Sequence, residues 1–107
     1  MKIIEIIKKI KKRYSEDISF KEAKNIINNN ETVVLLVVRS SQEFNEGHLR
    51  NAINIPLYDL EERVENRIKD KNTIIIAYCS AGIRSKKAVK ILKKLNYCNV
   101  FNVKEGV

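Results

Sequence analysis

The chain is poor in residues that staple a fold or bind metals: two cysteines, one proline, three glycines and one histidine in 107 residues. Two cysteines cannot build the dense disulfide framework of a small secreted domain. With no export signal, they place the chain in a reducing cytoplasm as an expectation. A single histidine, His48, excludes a histidine-rich metal site, and no other residue group has zinc-ligand spacing. No metal or other cofactor is expected. No apolar run approaches the roughly eighteen residues of a membrane span. The opening "MKIIEIIKKIKKRY" does not read as a signal peptide, because Glu5 and Lys8 interrupt its apolar stretch and no small-residue cleavage site follows. Aromatic residues do not interleave with the basic ones, so the stacking platform of a single-strand binder is missing and nucleic acid is not an expected partner. There is no internal repeat.

What remains is enough for one globular domain. The length suits a single core, and 44% hydrophobic with 32% charged residues shows no disorder-scale excess of charge. Twenty-one Lys and Arg against 13 Asp and Glu leave a formal charge of +8, so the surface attracts anions. Ile3, Ile6, Ile7 and Ile10 fall at helical spacing with lysines mostly opposite, which predicts an amphipathic helix over 1–14 preceding a domain over 15–107. "ISFKEAKNIINNN" predicts a short strand or turn and then a helix that the asparagines at 28–30 end. "TVVLLVV" (32–38) and "TIIIAY" (73–78) are β-branched apolar runs of the kind buried on both faces of a parallel sheet. Between them lie a short helix from "SSQEF" capped by Ser40 or Ser41, a strand in "AINIP" and a helix in "LYDLEERVENRI". A helix from Arg84 and a last strand in "NVFNV" follow. The alternation predicts an α/β domain with a central, mainly parallel sheet flanked by helices.

The stretch "IAYCSAGIRSKKAV" (76–89) carries the chemistry. Cys79 stands where an apolar strand ends, the edge of an α/β sheet at which ligands bind. If residues 80–85 curl so that successive N–H groups point inward, they form an anion nest over the thiol, and the helix that follows adds its positive end. Gly82 lets the loop adopt a conformation other residues resist. Arg84 adds a permanent cation with a fork suited to sulfonate or phosphate oxygens. Helix N-termini and cations bring cysteine pKa values from about 8.5 to roughly 3.5–7.5. A buried structural cysteine is the plainer reading of Cys79 alone; the combination of strand end, glycine loop, arginine, serine and helix favours a nucleophile.

"YCSAGIRS" resembles the active-site loop of the rhodanese-like domains, a family of sulfurtransferases. "VLLVVRSSQEFNEGHLRNAINIPL" is similar to the family's second marker, an Asp-Val-Arg triplet leading to Glu-Phe, Gly-His, Ala and Asn-Ile-Pro. "NVFNVKEG" resembles its last strand and glycine turn. The resemblance runs over most of residues 17–106. It implies the family's α/β fold and a persulfide on Cys79 held by the amides of Ser80, Ala81, Gly82, Ile83, Arg84 and Ser85 and by the Arg84 side chain. Donor and acceptor would be a small sulfur compound such as thiosulfate and a thiol, cyanide or a sulfur-carrier protein. Cysteine-dependent phosphatases place five residues between cysteine and arginine, whereas four lie between Cys79 and Arg84, so sulfur transfer ranks above phosphate hydrolysis. The chain departs from the family at Val37, where an aspartate is usual and a strand-end carboxylate is lost. It departs again at Glu105, in place of a second glycine, and holds no counterpart of a C-terminal helix before Val107.

Supporting roles fall to Arg39, Glu43 and His48. Arg39 and Glu43, four apart, are expected to pair across the short helix as a structural contact, and His48 to serve packing and hydrogen bonding. Ser85 is read first as the cap of the helix after the loop, with a hydrogen bond from its hydroxyl to a bound anion also open, and Cys98 as a packed thiol. Two functions stay open: a sulfurtransferase, or a catalytically weak rhodanese-like module that recruits a partner.

Overall fold

The computed structural model describes residues 13–30 and 32–106; apart from Arg13 and Tyr14, the helix expected over 1–14 lies outside the described residues. In chain order the elements are β1 (Asp17–Ile18), α1 (Phe20–Asn29), β2 (Val34–Val37), α2 (Ser41–Glu46) and β3 (Ile53–Asn54). A 3-10 turn (Leu57–Asp59) leads into α3 (Leu60–Arg67), then β4 (Ile75–Tyr78), α4 (Ile83–Lys94) and β5 (Val100–Val103). The five strands form one sheet in the order β1-β5-β4-β2-β3, and every pairing is parallel.

The two apolar runs are the central strands because both of their faces are covered. Alternate residues of β2 and β4 serve opposite faces. Leu36, Val38, Ile75, Ala77 and Cys79 join a cluster with Leu60 and Val64 of α3 and Ala88, Val89 and Leu92 of α4. Leu35, Val37, Ile74, Ile76 and Tyr78 join a second cluster with Ala23 and Ile26 of α1, against which Phe44 of α2 packs. Each run thus lacks a polar alternation because neither face meets water.

Local signals set the helix starts. Ser19 and Ser40 each accept a hydrogen bond from the backbone of a glutamate three residues on, Glu22 and Glu43, whose side chain returns to the cap's own N–H. These are reciprocal capping boxes. The α4 start differs from expectation. Its N-cap is Gly82, in a left-handed conformation with no side-chain cap, while Ser85 lies buried inside the first turn. Ser85 is therefore not the cap. No helix among the described residues is long and apolar enough to cross a membrane.

Candidate active site around Cys79

β2 and β4 are neighbours, yet the chain leaves β2 for α2 on one face and β4 for α4 on the other. Adjacent strands whose connections part to opposite faces open a crevice at their carboxyl ends. The loop of residues 79–82 and the start of α2 meet there. Cys79 is 1% exposed. Its Sγ accepts a hydrogen bond from the Gly82 N–H at 3.1 Å and lies 3.5 Å from Ser85 Oγ. Burial of the thiol opposes ionisation. The Ser85 hydroxyl and the amides of Ser85, Ala81 and Gly82 outweigh it, and the net shift of the Cys79 pKa is downward.

A second clasp holds the loop in this shape. Gly82 has φ +81°, and a Cβ there would stand 2.2 Å from the carbonyl oxygen of Lys104. Gly106 has φ +75°, and its Cβ would stand 2.2 Å from the carbonyl oxygen of Ser80. The turn after β5 and the loop after β4 thus interlock, each supplying a glycine where the other's backbone approaches. Glu105, which the resemblance sets in place of a second glycine, accepts from the N–H of Phe20 at the start of α1, satisfying one of that helix's orphan donors.

Behind the sulfur is a buried polar chain. The Ser85 hydroxyl donates to Asn102 Oδ1, and Asn102 Nδ2 donates to Asp17 Oδ1 at 3.0 Å. Ser85 and Asn102 are both buried. Ser85 has one hydroxyl proton and two acceptors for it, Asn102 Oδ1 and the Cys79 sulfur. With a protonated thiol, the S–H can point to Ser85 Oγ while Ser85 serves Asn102. With a thiolate, the same hydroxyl is drawn toward sulfur. Asn102 and Asp17 were not among the residues singled out in the sequence. Their signal is a polar residue within the otherwise apolar "VFNV" strand.

Arg84 is not the free cation that the loop pattern suggests. Its Nη1 and Nη2 donate to the two carboxylate oxygens of Glu43, at 2.6 and 2.9 Å, a bidentate pair. Ser80 Oγ donates to the same carboxylate at 3.4 Å. The Arg84 hydrogen bonds hold the Glu43 carboxyl far below the usual carboxylate range, with help from the Ser40 backbone. In turn the Glu43 carboxylate raises the Arg84 pKa. Glu43 thus pairs with Arg84 as well as with Arg39, the partner expected from spacing. The Arg39 Nε lies 3.5 Å from Glu43 Oε2, while its Nη1 donates to the carbonyl of Gly47. His48 stacks on Phe44 with ring centroids 3.7 Å apart, and its Nδ1 lies 2.9 Å from the Phe44 carbonyl oxygen. It orders the end of α2.

The structure also places Val37 and changes the expectation for Cys98. Val37 packs in the cluster on the sheet face opposite Cys79, and the carboxylate beside the loop is that of Glu43. Cys98 is exposed rather than packed. It also lies at the other end of the sheet. Val100 pairs with Ile75, so Cys98 is level with Thr73, six residues before Cys79 along parallel strands, or about 20 Å at ~3.3 Å per residue. A disulfide needs Cα atoms within about 7 Å, so Cys98 is no resolving partner within this fold.

The profile of the rhodanese-like domain matches residues 19–107. Thiosulfate sulfurtransferase PspE of Escherichia coli (strain K12) is 38% identical over 65 residues, 61% of this chain and 62% of that protein. The tRNA uridine(34) hydroxylase of Buchnera aphidicola subsp. Baizongia pistaciae is 33% identical over 94 residues, 84% of this chain but 30% of that protein. The chain thus spans less than two thirds of either relative. Among solved structures, a rhodanese with anions from E. coli superposes with a TM-score of 0.64 at 35% identity, over 67% of this chain and 85% of that one.

Proposed function

The chain belongs to the rhodanese-like domain family, and from that membership together with the loop geometry we propose that it carries sulfane sulfur as a persulfide on Cys79. The observation that supports this reading most directly is the buried Sγ at the β2/β4 crevice, receiving the Gly82 N–H while the thiol's pKa is shifted down. In the proposed cycle the Cys79 thiolate attacks the outer sulfur of a donor such as thiosulfate. The donor's S–S bond breaks, and sulfite leaves with its electron pair. The persulfide's negative sulfur then sits under the amides of residues 80–85 with the positive end of α4 behind them. An acceptor, whether cyanide, a thiol or a sulfur-carrier protein, attacks that outer sulfur and returns Cys79 to the thiolate. Glu43 acts as a positioning residue in this scheme. It orients Arg84 at the mouth of the loop and offsets its charge. A reducing cytoplasm, rich in thiol acceptors, suits such a carrier.

The PspE relative acts on thiosulfate by name, which supports thiosulfate as the donor to try first. The interval of four residues, Ser80 to Ile83, favours sulfur over the bulkier phosphate. The filled fork of Arg84 is the observation that favours a catalytically weak binding module instead, since an incoming oxyanion must compete with Glu43 for it. Mass spectrometry after thiosulfate treatment separates the two. The carrier gains one sulfur on Cys79, loses it to cyanide, and gains none in Cys79→Ser. No adduct on the wild-type chain overturns the reading.

A further inference from the structure

Beside the loop, on its β5 side, is a cleft of about 360 Å³ lined by Ala81, Gly82, Ile83, Asp17, Asn102 and four lysines, Lys86, Lys87, Lys90 and Lys104. The charges are lopsided. Asp17 is the one carboxylate among the lining residues, and it lies 3.6 Å from the Nζ of Lys86. Lys87, Lys90 and Lys104 form no ion pair among the described residues. Lys86 and Lys90 stand one turn apart on α4, about 6 Å, and Lys104 faces them from the turn after β5. Such a concentration of one sign beside low-dielectric walls attracts opposite charge and raises association rates by about 10–10³-fold.

The rim adds an apolar contact. Ile83 is 66% exposed, one of two large hydrophobic side chains standing free among the described residues, and it opens α4 directly after the loop of Cys79. An exposed isoleucine ringed by lysines fits a protein surface better than a small dianion, which can touch only one or two of the lysines at a time. An acidic chain running along α4 can meet all of them and cover Ile83. The buried sulfur adds a requirement. An acceptor must bring its thiol on a slender, exposed segment to reach a sulfur carried on Cys79, a residue that is 1% exposed.

We infer that this lysine cleft is the docking site of the sulfur acceptor, and that the acceptor is a protein presenting its thiol on an acidic, extended segment. The inference rests on the reading of Cys79 as a persulfide carrier. With the acidic segment held in the cleft beside the loop, the acceptor's thiol first gives its proton to solvent. The resulting thiolate attacks the outer sulfur, and the Sγ–S bond breaks with its electron pair returning to Cys79. The acceptor leaves as a persulfide.

The test uses the full chain with Cys98→Ser, loaded with thiosulfate. Two synthetic peptides serve as acceptors, one with a cysteine flanked by glutamates and the other with those glutamates replaced by glutamine. Each rate is normalised to that peptide's reactivity toward a small disulfide. The acidic peptide is expected to discharge the persulfide at least about tenfold faster at low ionic strength, an advantage that fades at high salt. Combining Lys87→Gln, Lys90→Gln and Lys104→Gln should remove most of that advantage while leaving the rate with the neutral peptide within about twofold. Combining Lys21→Gln, Lys69→Gln and Lys94→Gln removes the same charge elsewhere and should keep the advantage. Equal rates for the two peptides, or equal losses in the two triple variants, overturn the docking site. Failure to load at all, or to discharge to cyanide, instead overturns the carrier reading beneath it.

Discussion

The molecule holds its two thiols in opposite settings. Cys79 follows the carboxyl end of β4, buried, with a backbone N–H donated to its sulfur and a serine hydroxyl beside it. Cys98 precedes the amino end of β5, exposed, and the atoms near its sulfur are oxygens, the Lys71 carbonyl at 3.6 Å and Asn72 Oδ1 at 3.5 Å. Around Cys79 the protein offers hydrogens, and around Cys98 it offers acceptors. In a parallel sheet all carboxyl ends lie on one side. Loop amides and a helix N-terminus therefore gather beside one cysteine and cannot gather beside the other.

The largest effect expected is on the thiol itself. Cys79→Ser abolishes the cyanide-removable sulfur, whereas Cys98→Ser retains it within about twofold; loss of the sulfur in the second variant breaks the contrast. Next come the glycines that shape the loop. Gly106→Ala must fit a methyl 2.2 Å from the Ser80 carbonyl oxygen at positive φ, and should cost at least about 2 kcal/mol in urea unfolding. It should also slow alkylation of Cys79. Gly47→Ala, with nothing within 4 Å of its new Cβ, should stay within about 0.5 kcal/mol.

A smaller change is expected at Glu43. Glu43→Gln removes the charge facing the loop and opens half of the Arg84 fork, so the thiosulfate KM should fall about two- to fivefold with kcat less affected. A raised KM would mean that positioning of Arg84 outweighs the repulsion. The most delicate contrast is in pH. In a Cys98→Ser background, the midpoint for alkylation of Cys79 should lie below that of the same chain in denaturant, because the folded thiol's pKa is lowered. The sign carries to stability. A lowered folded pKa contributes stability that is fully present above the unfolded value near 8.5 and is lost as pH falls through the folded one. Unfolding of the wild type relative to Cys79→Ala should show that rise with pH.

Much of this could be read along the chain because it rests on local rules. The apolar runs 32–38 and 73–78 hold β2 and β4, since a strand buried on both faces needs no polar alternation. A serine cap at 40 or 41 was legible too, and the structure takes Ser40, whose reciprocal bonds with Glu43 close a capping box. Ser85 misled for a related reason. A serine near a helix start looks like a cap, yet Gly82 already turns the chain, and the hydroxyl is taken by Asn102. Glu43 was legible only in part: its pairing with Arg39 follows from spacing, whereas its bidentate pairing with Arg84, 41 residues on, does not.

From the sequence alone came the α/β alternation, the loop of Cys79 with four residues before Arg84, and the resemblance that names the family. These depend on residue order and short-range chemistry, which the chain carries with it. Only the tertiary structure decided that Glu43 fills the Arg84 fork, that Gly106 locks the Ser80 carbonyl, that Asn102 stands behind Ser85, and that four lysines line one cleft. Each joins segments that are distant in sequence and adjacent only because parallel strands bring their carboxyl ends to one edge. Hydrogen bonds and charge act over a few ångströms of space, whatever number of residues lies between.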